Sequence, residues 1–148
     1  MEIRQILAPT DFSEFSKQAV QCAYELAQKF GAKLLLLHVV ELPPYPIDGF
    51  VPARTGLLED LQRQAILDLA QVLLEAQGAT VEIRRQVVVG IPYRTIVEVA
   101  AAEKVDLIVM ATHGRTGLSH LVMGSVAERV VRTAPCPVLT IRPAAATA

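Results

Sequence analysis

The chain has 148 residues, of which 52% are hydrophobic and 20% charged, and its formal net charge is −1. This length and hydrophobicity fit one folded domain and exclude a disordered chain, and the near-neutral charge argues against a nucleic-acid-binding protein, which would carry a basic face. No apolar run reaches the ~18 residues of a membrane helix, the first residues lack a signal-peptide pattern, and two cysteines make no disulfide framework, so we expect a cytoplasmic protein.

The N-terminal part begins with a short apolar segment at residues 3–8, which predicts the first strand. Asp11 and Ser13 are candidate N-caps for the helix that follows, and Glu14 lies three residues after Asp11, as in a capping box. Gly31 is predicted to end this helix, because glycine readily adopts the left-handed conformation of a C-terminal stop.

The next segments are a second strand, a second helix and a third strand. Residues 33–40 form a continuous apolar run, which indicates a strand covered on both faces of a parallel sheet. Residues 57–77 have helical periodicity, and Gly78 is predicted to end that helix. Residues 81–89 begin by alternating apolar and polar side chains, which favours an edge strand with one face in water.

The C-terminal part continues the alternation. Pro92 is predicted to open a helix that reaches Lys104, because proline is tolerated at the first helical position. Residues 106–111 indicate another fully apolar strand, residues 125–133 the last helix, and residues 138–142 the last strand.

Five strands that alternate with four helices predict a single α/β domain at residues 1–143, followed by a tail at residues 144–148. The sheet is expected to be parallel and doubly wound, with helices on both faces and the strand order 3-2-1-4-5. Ligands of such sheets bind beyond the carboxyl ends of the strands, where the winding reverses. The reversal falls between the first and fourth strands, so the chemistry is expected after Ala8 and after Ala111.

The segment that follows the fourth strand, ATHGRTGLSHLVMGS, leads into the N-terminus of the last helix. Free N–H groups and the helix dipole make this a natural phosphate site. Gly124 would permit close approach of an anion, and Ser125 adds a hydroxyl group. Ser125 and Glu128 also fit an S-x-x-E capping box, which needs no ligand, and the two interpretations are compatible.

Asp11, after the first strand, faces this glycine loop across the reversal. Its carboxylate could accept hydrogen bonds from a ribose or base, or help to hold a metal ion, although a helix cap is the alternative. Val39, at the end of the second strand, would wall the same crevice. His113 and Arg115 could neutralise phosphates or belong to a solvated loop face.

Two further features have open interpretations. His38 lies within an apolar strand, where a hydrogen-bonded core histidine is the more common case than a ligand-binding one. Residues 41–56 contain four prolines and form a long loop, which is either a lid over the site or a mobile segment.

The segments PTDFS, LLHVV and A-T-H-G-x₉-G-S resemble those of the universal stress proteins, and the resemblance extends over about residues 3–142. The nucleotide motif of the ATP-binding branch, G-x₂-G-x₉-G-[ST], corresponds here to Ala111, Gly114, Gly124 and Ser125. Alanine at the first glycine position adds a methyl group, which is mild if the residue stays in the strand but weakens binding if the backbone must approach the ribose closely.

The resemblance implies the same five-stranded fold, bound ATP and frequent homodimers, and we expect Mg²⁺ to bind with the ATP. Asp11 would assist the Mg²⁺ ion, and residues 138–142 would form the dimer contact, because an apolar edge strand offers unpaired N–H and C=O groups. By position in the motif, the base and ribose would be surrounded by Pro9, Thr10, Asp11 and Val39. The loop would be lined by Met110, Ala111 and Gly114, and the phosphates would meet Gly124, Ser125 and Val126.

Two function classes follow. One is a regulatory module that binds ATP and reports it to a protein partner; the other is an enzyme that hydrolyses or transfers a phosphoryl group. Phosphoryl transfer needs a metal, charge neutralisation and a placed nucleophile, but the chain has no Walker motif, no loop lysine and no paired carboxylates. These features favour a binding module with slow hydrolysis at most. A third interpretation, a family member that binds no nucleotide and acts through protein contacts, is favoured by Ala111.

Overall fold

The computed structural model describes residues 1–41, 51–76, 80–114 and 122–142, with the backbone alone for residues 51–55. Strands and α-helices alternate along the chain in the predicted sequence. The strands are β1 (Gln5–Pro9), β2 (Lys33–Val40), β3 (Ile83–Val89), β4 (Leu107–Ala111) and β5 (Val138–Ile141). The helices are α1 (Glu14–Phe30), α2 (Val51–Gln71), α3 (Pro92–Ala102) and α4 (Ser125–Thr133).

The five strands form one parallel sheet in the order β3-β2-β1-β4-β5, which confirms the predicted topology. β1 lies in the middle and pairs with β2 on one side and β4 on the other. The winding therefore reverses between β1 and β4, and the carboxyl ends of these strands meet at one edge of the sheet.

Two hydrophobic cores cover the sheet, one on each face. Val20 of α1 and Leu69 of α2 pack in one core, whereas Ile96 of α3 and Val130 of α4 pack in the other. Residues 34–37 of β2 point alternately into the two cores and are at most 1% exposed. This coverage of both faces explains the continuous apolar run of β2, since neither face needs polar side chains.

The N-cap of α1 is Ser13, whose Oγ accepts a hydrogen bond from the N–H of Ser16 at 3.2 Å. Asp11 is not the cap; its Oδ1 accepts from the N–H of Ser13 at 3.0 Å, so the capping box with Glu14 is wrong. Gly31 ends the helix in the left-handed conformation, at φ 64°, as predicted.

α2 begins earlier than the periodicity indicated. Its first residue, Val51, falls inside the segment at residues 41–56 that was expected to be a lid or a mobile loop. The last six residues of that segment are therefore helical, and residues 42–50 lie outside the described part of the chain.

α2 also ends earlier than predicted, at Gln71 rather than near residue 77. Leu73 has a left-handed backbone, with φ 55°, and a short 3₁₀ helix follows at residues 74–76. Arg85 of β3 donates hydrogen bonds to the carbonyl oxygens of Leu69 and Val72, at 3.1 and 2.7 Å. These bonds satisfy carbonyl groups at the end of the helix. Gly78, which was predicted to end the helix, lies outside the described residues.

Within the described ranges, no helix is long and apolar enough to cross a membrane.

Candidate functional site

The predicted site residues come together at the carboxyl edge of the sheet, around the ends of β1, β2 and β4. Asp11 and Gly114 come closest: a Cβ atom added at Gly114 would lie 2.7 Å from Oδ2 of Asp11. Because that contact is shorter than any real Cβ contact, Gly114 can be replaced only if the carboxylate moves. The two loops that follow β1 and β4 therefore meet here, as the topology predicted.

Thr10 is buried, and besides its backbone bond to Leu37 it makes three hydrogen bonds that hold the turn after β1. Nδ1 of His38 donates to its carbonyl oxygen at 2.7 Å, and the N–H of Phe12 donates to its Oγ1 at 3.1 Å. Its Oγ1 also shares a 3.0 Å hydrogen bond with Oγ of Ser16. These contacts fix the position of Asp11, and they give His38 the hydrogen-bond partner expected of a core histidine.

Phe12 has a left-handed backbone, with φ 66°. This conformation is rare for bulky residues and marks a tightly determined turn. The centroids of the Phe12 and His38 rings are 4.4 Å apart. The turn therefore contacts β2 through a stacked ring as well as through the hydrogen bond to Thr10.

The hydrogen-bond ladder between β1 and β2 stops just before Val39. Odd-numbered residues of β2 point their backbone groups toward β1: the N–H of Lys33 donates to Arg4, and the carbonyl of Leu37 accepts from Thr10. The next ladder bonds would join Val39 to the carbonyl of Thr10 and to the N–H of Phe12. Both groups are engaged elsewhere, with His38 and with Thr10 Oγ1. Within the described residues, the N–H and C=O of Val39 therefore have no sheet partner.

At the end of β4, Met110 is buried and Ala111 is half-buried. Ala111 keeps the extended backbone of the strand and pairs with Ile141 of β5. The methyl group at the first glycine position of the motif is therefore accommodated without backbone strain, because the residue stays in the strand.

Thr112 and His113, which follow β4, are both buried, at 5% and 8% exposed. Oγ1 of Thr112 and Nδ1 of His113 share a 2.8 Å hydrogen bond, and the imidazole lies 6.3 Å from the ring of Phe15 in α1. His113 is therefore part of the packed base of the loop, and the interpretation as a solvated loop residue is wrong. Arg115 lies outside the described residues.

Gly124 lies in close contact with the chain's own backbone. Its N–H donates to the carbonyl oxygen of Thr112 at 2.7 Å, and a Cβ atom at this position would lie 3.0 Å from the same oxygen. Glycine at this position therefore permits close approach of residues 112–113, and its close approach to an anion stays a prediction.

α4 starts with an uncapped first turn. Gly124 is the N-cap and makes no side-chain cap hydrogen bond, so Ser125 is the first helical residue and the predicted Ser125–Glu128 capping box does not form. Helix geometry leaves the N–H groups of Ser125, Val126 and Ala127 without intrahelical partners. Ser125 is exposed and Val126 half-buried. Whereas the Ser13 side chain caps α1, the N-cap of α4 makes no side-chain hydrogen bond to the helix among the described residues.

Sequence reasoning missed Thr112 and Phe12. Thr112 links three neighbours: its carbonyl accepts from Gly124, its N–H donates to Ile141, and its hydroxyl bonds to His113. A threonine directly after a fully apolar strand is the signal that could have identified it. For Phe12, no local pattern predicts a left-handed aromatic residue.

The described residues contain no group of three or more His, Cys, Asp or Glu side chains that could hold a metal ion.

Comparison with known proteins gives one consistent result. The sequence profile of the universal stress protein family matches residues 2–142. A universal stress protein of Methanocaldococcus jannaschii is 37% identical over 142 residues, which is 94% of this chain and 82% of that protein.

Solved structures agree. UspA from Lactobacillus plantarum is 29% identical, with a TM-score of 0.86 over 96% of this chain and 99% of its own. A universal stress protein crystallised in complex with cAMP is 25% identical, with a TM-score of 0.64 over 95% and 98% of the two chains. The chain belongs to the universal stress protein family.

Proposed function

We propose that this protein is a regulatory module that binds ATP with Mg²⁺ at the carboxyl edge of its sheet and hydrolyses it slowly at most. The observation that carries the proposal is the open backbone N–H and C=O of Val39, at the same edge as the uncapped first turn of α4. The first provides a base-recognition pair, and the second provides donors for phosphates.

The Val39 pair suits adenine. Adenine presents an acceptor, N1, beside a donor, the N6 amino group, so the N–H of Val39 would donate to N1 and its C=O would accept from N6. Guanine and hypoxanthine present a donor at N1 beside an acceptor at O6, which reverses the pattern. A relative crystallised with cAMP supports an adenine nucleotide as the ligand class.

The same edge of the sheet offers contacts for the ribose and the phosphates. Asp11, which lies beside Gly114, would accept hydrogen bonds from the ribose hydroxyls. The N–H groups of Ser125 and Val126, with the hydroxyl of Ser125, would bind the phosphates. Gly124 would hold this turn in place rather than donate to the ligand. The remaining lining residues would be Pro9, Thr10, Met110 and Ala111, and His113 and Arg115 stay candidates for phosphate contacts.

Mg²⁺ would bind with the nucleotide. Mg²⁺ in nucleotide sites keeps several waters and is held by one or two carboxylates together with the substrate phosphates. The single carboxylate of Asp11 fits this role, directly or through a water molecule.

The site favours binding over catalysis. Fast phosphoryl transfer needs a group that positions the nucleophile. The nearest candidate, His113, is buried, and its Nδ1 is bonded to Thr112. We expect turnover well below the ~10 s⁻¹ that is typical of enzymes. A rate near that value, lost in His113→Ala, would instead support the enzyme interpretation.

We further propose that the module acts in the cytoplasm as a homodimer through residues 138–142, and that a protein partner, still to be identified, reads its nucleotide state. Cys22 and Cys136 are free thiols, which fits a reducing compartment. Burial raises the pKa of both thiols, and the charges of Glu25 and Asp106 raise it further, so both remain protonated at neutral pH.

Calorimetry with ATP and ITP in the presence of Mg²⁺ tests the proposal. ITP differs from ATP only at the edge that Val39 would read, so ATP should bind saturably and ITP about tenfold more weakly, as expected for a lost hydrogen bond and a clash of like groups. Absence of heat at millimolar ATP would support the alternative of a family member that acts through protein contacts alone.

A further inference from the structure

We propose that His38 is a positioning residue for the adenine base: it stops the β1–β2 ladder one bond short of Val39 and so keeps the N–H of Val39 open. This inference rests on the proposed function. His38 does not touch the nucleotide; it acts through Thr10 and Phe12.

The first step is the hydrogen bond to Thr10. Nδ1–H of His38 donates to the Thr10 carbonyl oxygen at 2.7 Å, the short end of the range for N–H···O bonds. That oxygen is the acceptor to which the N–H of Val39 would donate if the ladder continued. The Thr10 carbonyl oxygen accepts from His38, and it accepts no hydrogen bond from the N–H of Val39, the next residue of β2.

The second step is the ring contact. The imidazole stacks on Phe12, with centroids 4.4 Å apart and the ring planes 31° apart. Phe12 has φ 66°, a conformation that needs support from its surroundings. The same turn directs the N–H of Phe12 to Thr10 Oγ1, so it cannot reach the carbonyl of Val39.

The N–H half of the Val39 pair therefore depends on the donor of His38, whereas the C=O half depends on the bond between Phe12 and Thr10 Oγ1. Without the imidazole, Thr10 could accept from Val39, and β1 would gain one more ladder bond. The sheet would be extended while the adenine-recognition donor was lost. If His38 only stabilised the sheet, its loss would weaken the sheet and lower the affinity for every nucleotide equally.

Two substitutions separate the donor from the ring. His38→Phe keeps a ring beside Phe12 but removes the donor to Thr10. His38→Asn removes the ring, and its side-chain N–H lies close to the position of Nδ1, so the hydrogen bond to Thr10 can be kept. The readout is the ratio of the ATP and ITP dissociation constants, measured by calorimetry together with thermal unfolding.

We expect His38→Phe to lose about tenfold in ATP affinity, and with it the preference over ITP, as for one lost hydrogen bond. His38→Asn should keep the preference. Two results would overturn the role of His38 and leave the proposed function intact. One is an unchanged ATP preference in His38→Phe. The other is an equal loss of affinity for both nucleotides that follows a fall in melting temperature. Failure of the wild-type protein to bind either nucleotide would overturn the proposed function as well.

Amide hydrogen exchange of the ligand-free protein gives an independent readout. The N–H of Val39 should exchange much faster than its β2 neighbour Leu37 in the wild-type protein and become protected in His38→Phe. A Val39 amide that is already as protected as Leu37 in the wild-type protein would contradict the inference, whatever the variants do.

Discussion

The backbone N–H of Gly124 donates a 2.7 Å hydrogen bond to the carbonyl oxygen of Thr112. This bond joins the first residue after β4 to the N-cap of α4, so it fixes the start of the helix against the end of the strand. The bond therefore also sets the position of the N–H groups of Ser125 and Val126, which have no intrahelical partners. Gly124 therefore positions the first turn of α4 through its contact with Thr112.

Gly124→Val should weaken ATP binding at least tenfold and lower the stability of the protein. A Cβ atom at this position would lie 3.0 Å from the oxygen of Thr112, so the start of α4 must shift. Such overpacking typically costs about 1–3 kcal/mol. Calorimetry and urea unfolding measure the two effects.

Gly56→Val is the matched control for that experiment. Gly56 lies in α2, and an added Cβ there meets no described atom within 4 Å. The control should keep both affinity and stability. If Gly124→Val behaved like Gly56→Val, the Thr112–Gly124 contact would have no role in the site.

Asp11 and Gly114 should be energetically coupled. A Cβ at Gly114 would lie 2.7 Å from Oδ2 of Asp11, so Gly114→Ala must displace the carboxylate and should reduce ATP affinity about tenfold, as for a lost hydrogen bond to a charged group. After Asp11→Ala, the same substitution should have little further effect. A double-mutant cycle of dissociation constants measures the coupling, and additive effects would refute it.

Asp106 is predicted to stabilise the opposite edge of the sheet. Its Oδ2 accepts hydrogen bonds from the backbone N–H groups of Arg4 and Gln5, at 2.9 and 3.0 Å, where β1 begins. Asp106→Ala removes this acceptor and should cost about 1–3 kcal/mol of unfolding free energy. Asp106→Asn keeps an acceptor oxygen and should cost less. Urea unfolding ranks the two, and equal stability of all three proteins would contradict the assignment.

The topology of the sheet could be predicted from the sequence because burial on one or both faces leaves a different pattern. The unbroken apolar run at residues 33–40 belongs to β2, whose side chains enter both cores. The alternation predicted that β3 is an edge strand, which is confirmed, but the expected face in water was wrong: only Arg84 of β3 is exposed, and Val88 packs in the second core. The end of α2 could not be predicted, because it depends on Arg85, which comes from another element and bonds the carbonyl groups of Leu69 and Val72.

The position of the site was also predictable, since it follows from the reversal of winding, but its details were not. The S-x-x-E pattern at Ser125 is a genuine capping signal, yet Gly124, which contacts Thr112, is the N-cap, so the helix starts one residue earlier than a Ser125 cap requires. Likewise, His38 could be recognised as a hydrogen-bonded histidine, but it is half-buried, and its partner, Thr10, is 28 residues away and is identified by no local pattern.

The last prediction concerns a homodimer through β5, which lies at the edge of the sheet. The N–H of Ile108 donates to the carbonyl of Pro137, and that of Thr112 donates to Ile141, so the odd-numbered residues of β5 face β4. Val138 and Thr140 therefore point their backbone groups outward. A two-fold axis would pair two such edges antiparallel and close the assembly.

Thr140→Pro removes one outward N–H without touching the ladder to β4, and proline is tolerated in an edge strand at such a position. We expect this variant to fold and to dimerise at least tenfold more weakly, because the two-fold axis removes the bond twice, whereas Thr140→Val, which keeps the N–H, should dimerise normally. Leu139→Pro is a poorer test, because the N–H of Leu139 faces β4 and its loss would damage the sheet itself. Sedimentation equilibrium over a range of concentrations gives the dissociation constants. A wild-type protein that stays monomeric, or a folded Thr140→Pro variant with unchanged dimer affinity, would show that β5 is not the interface.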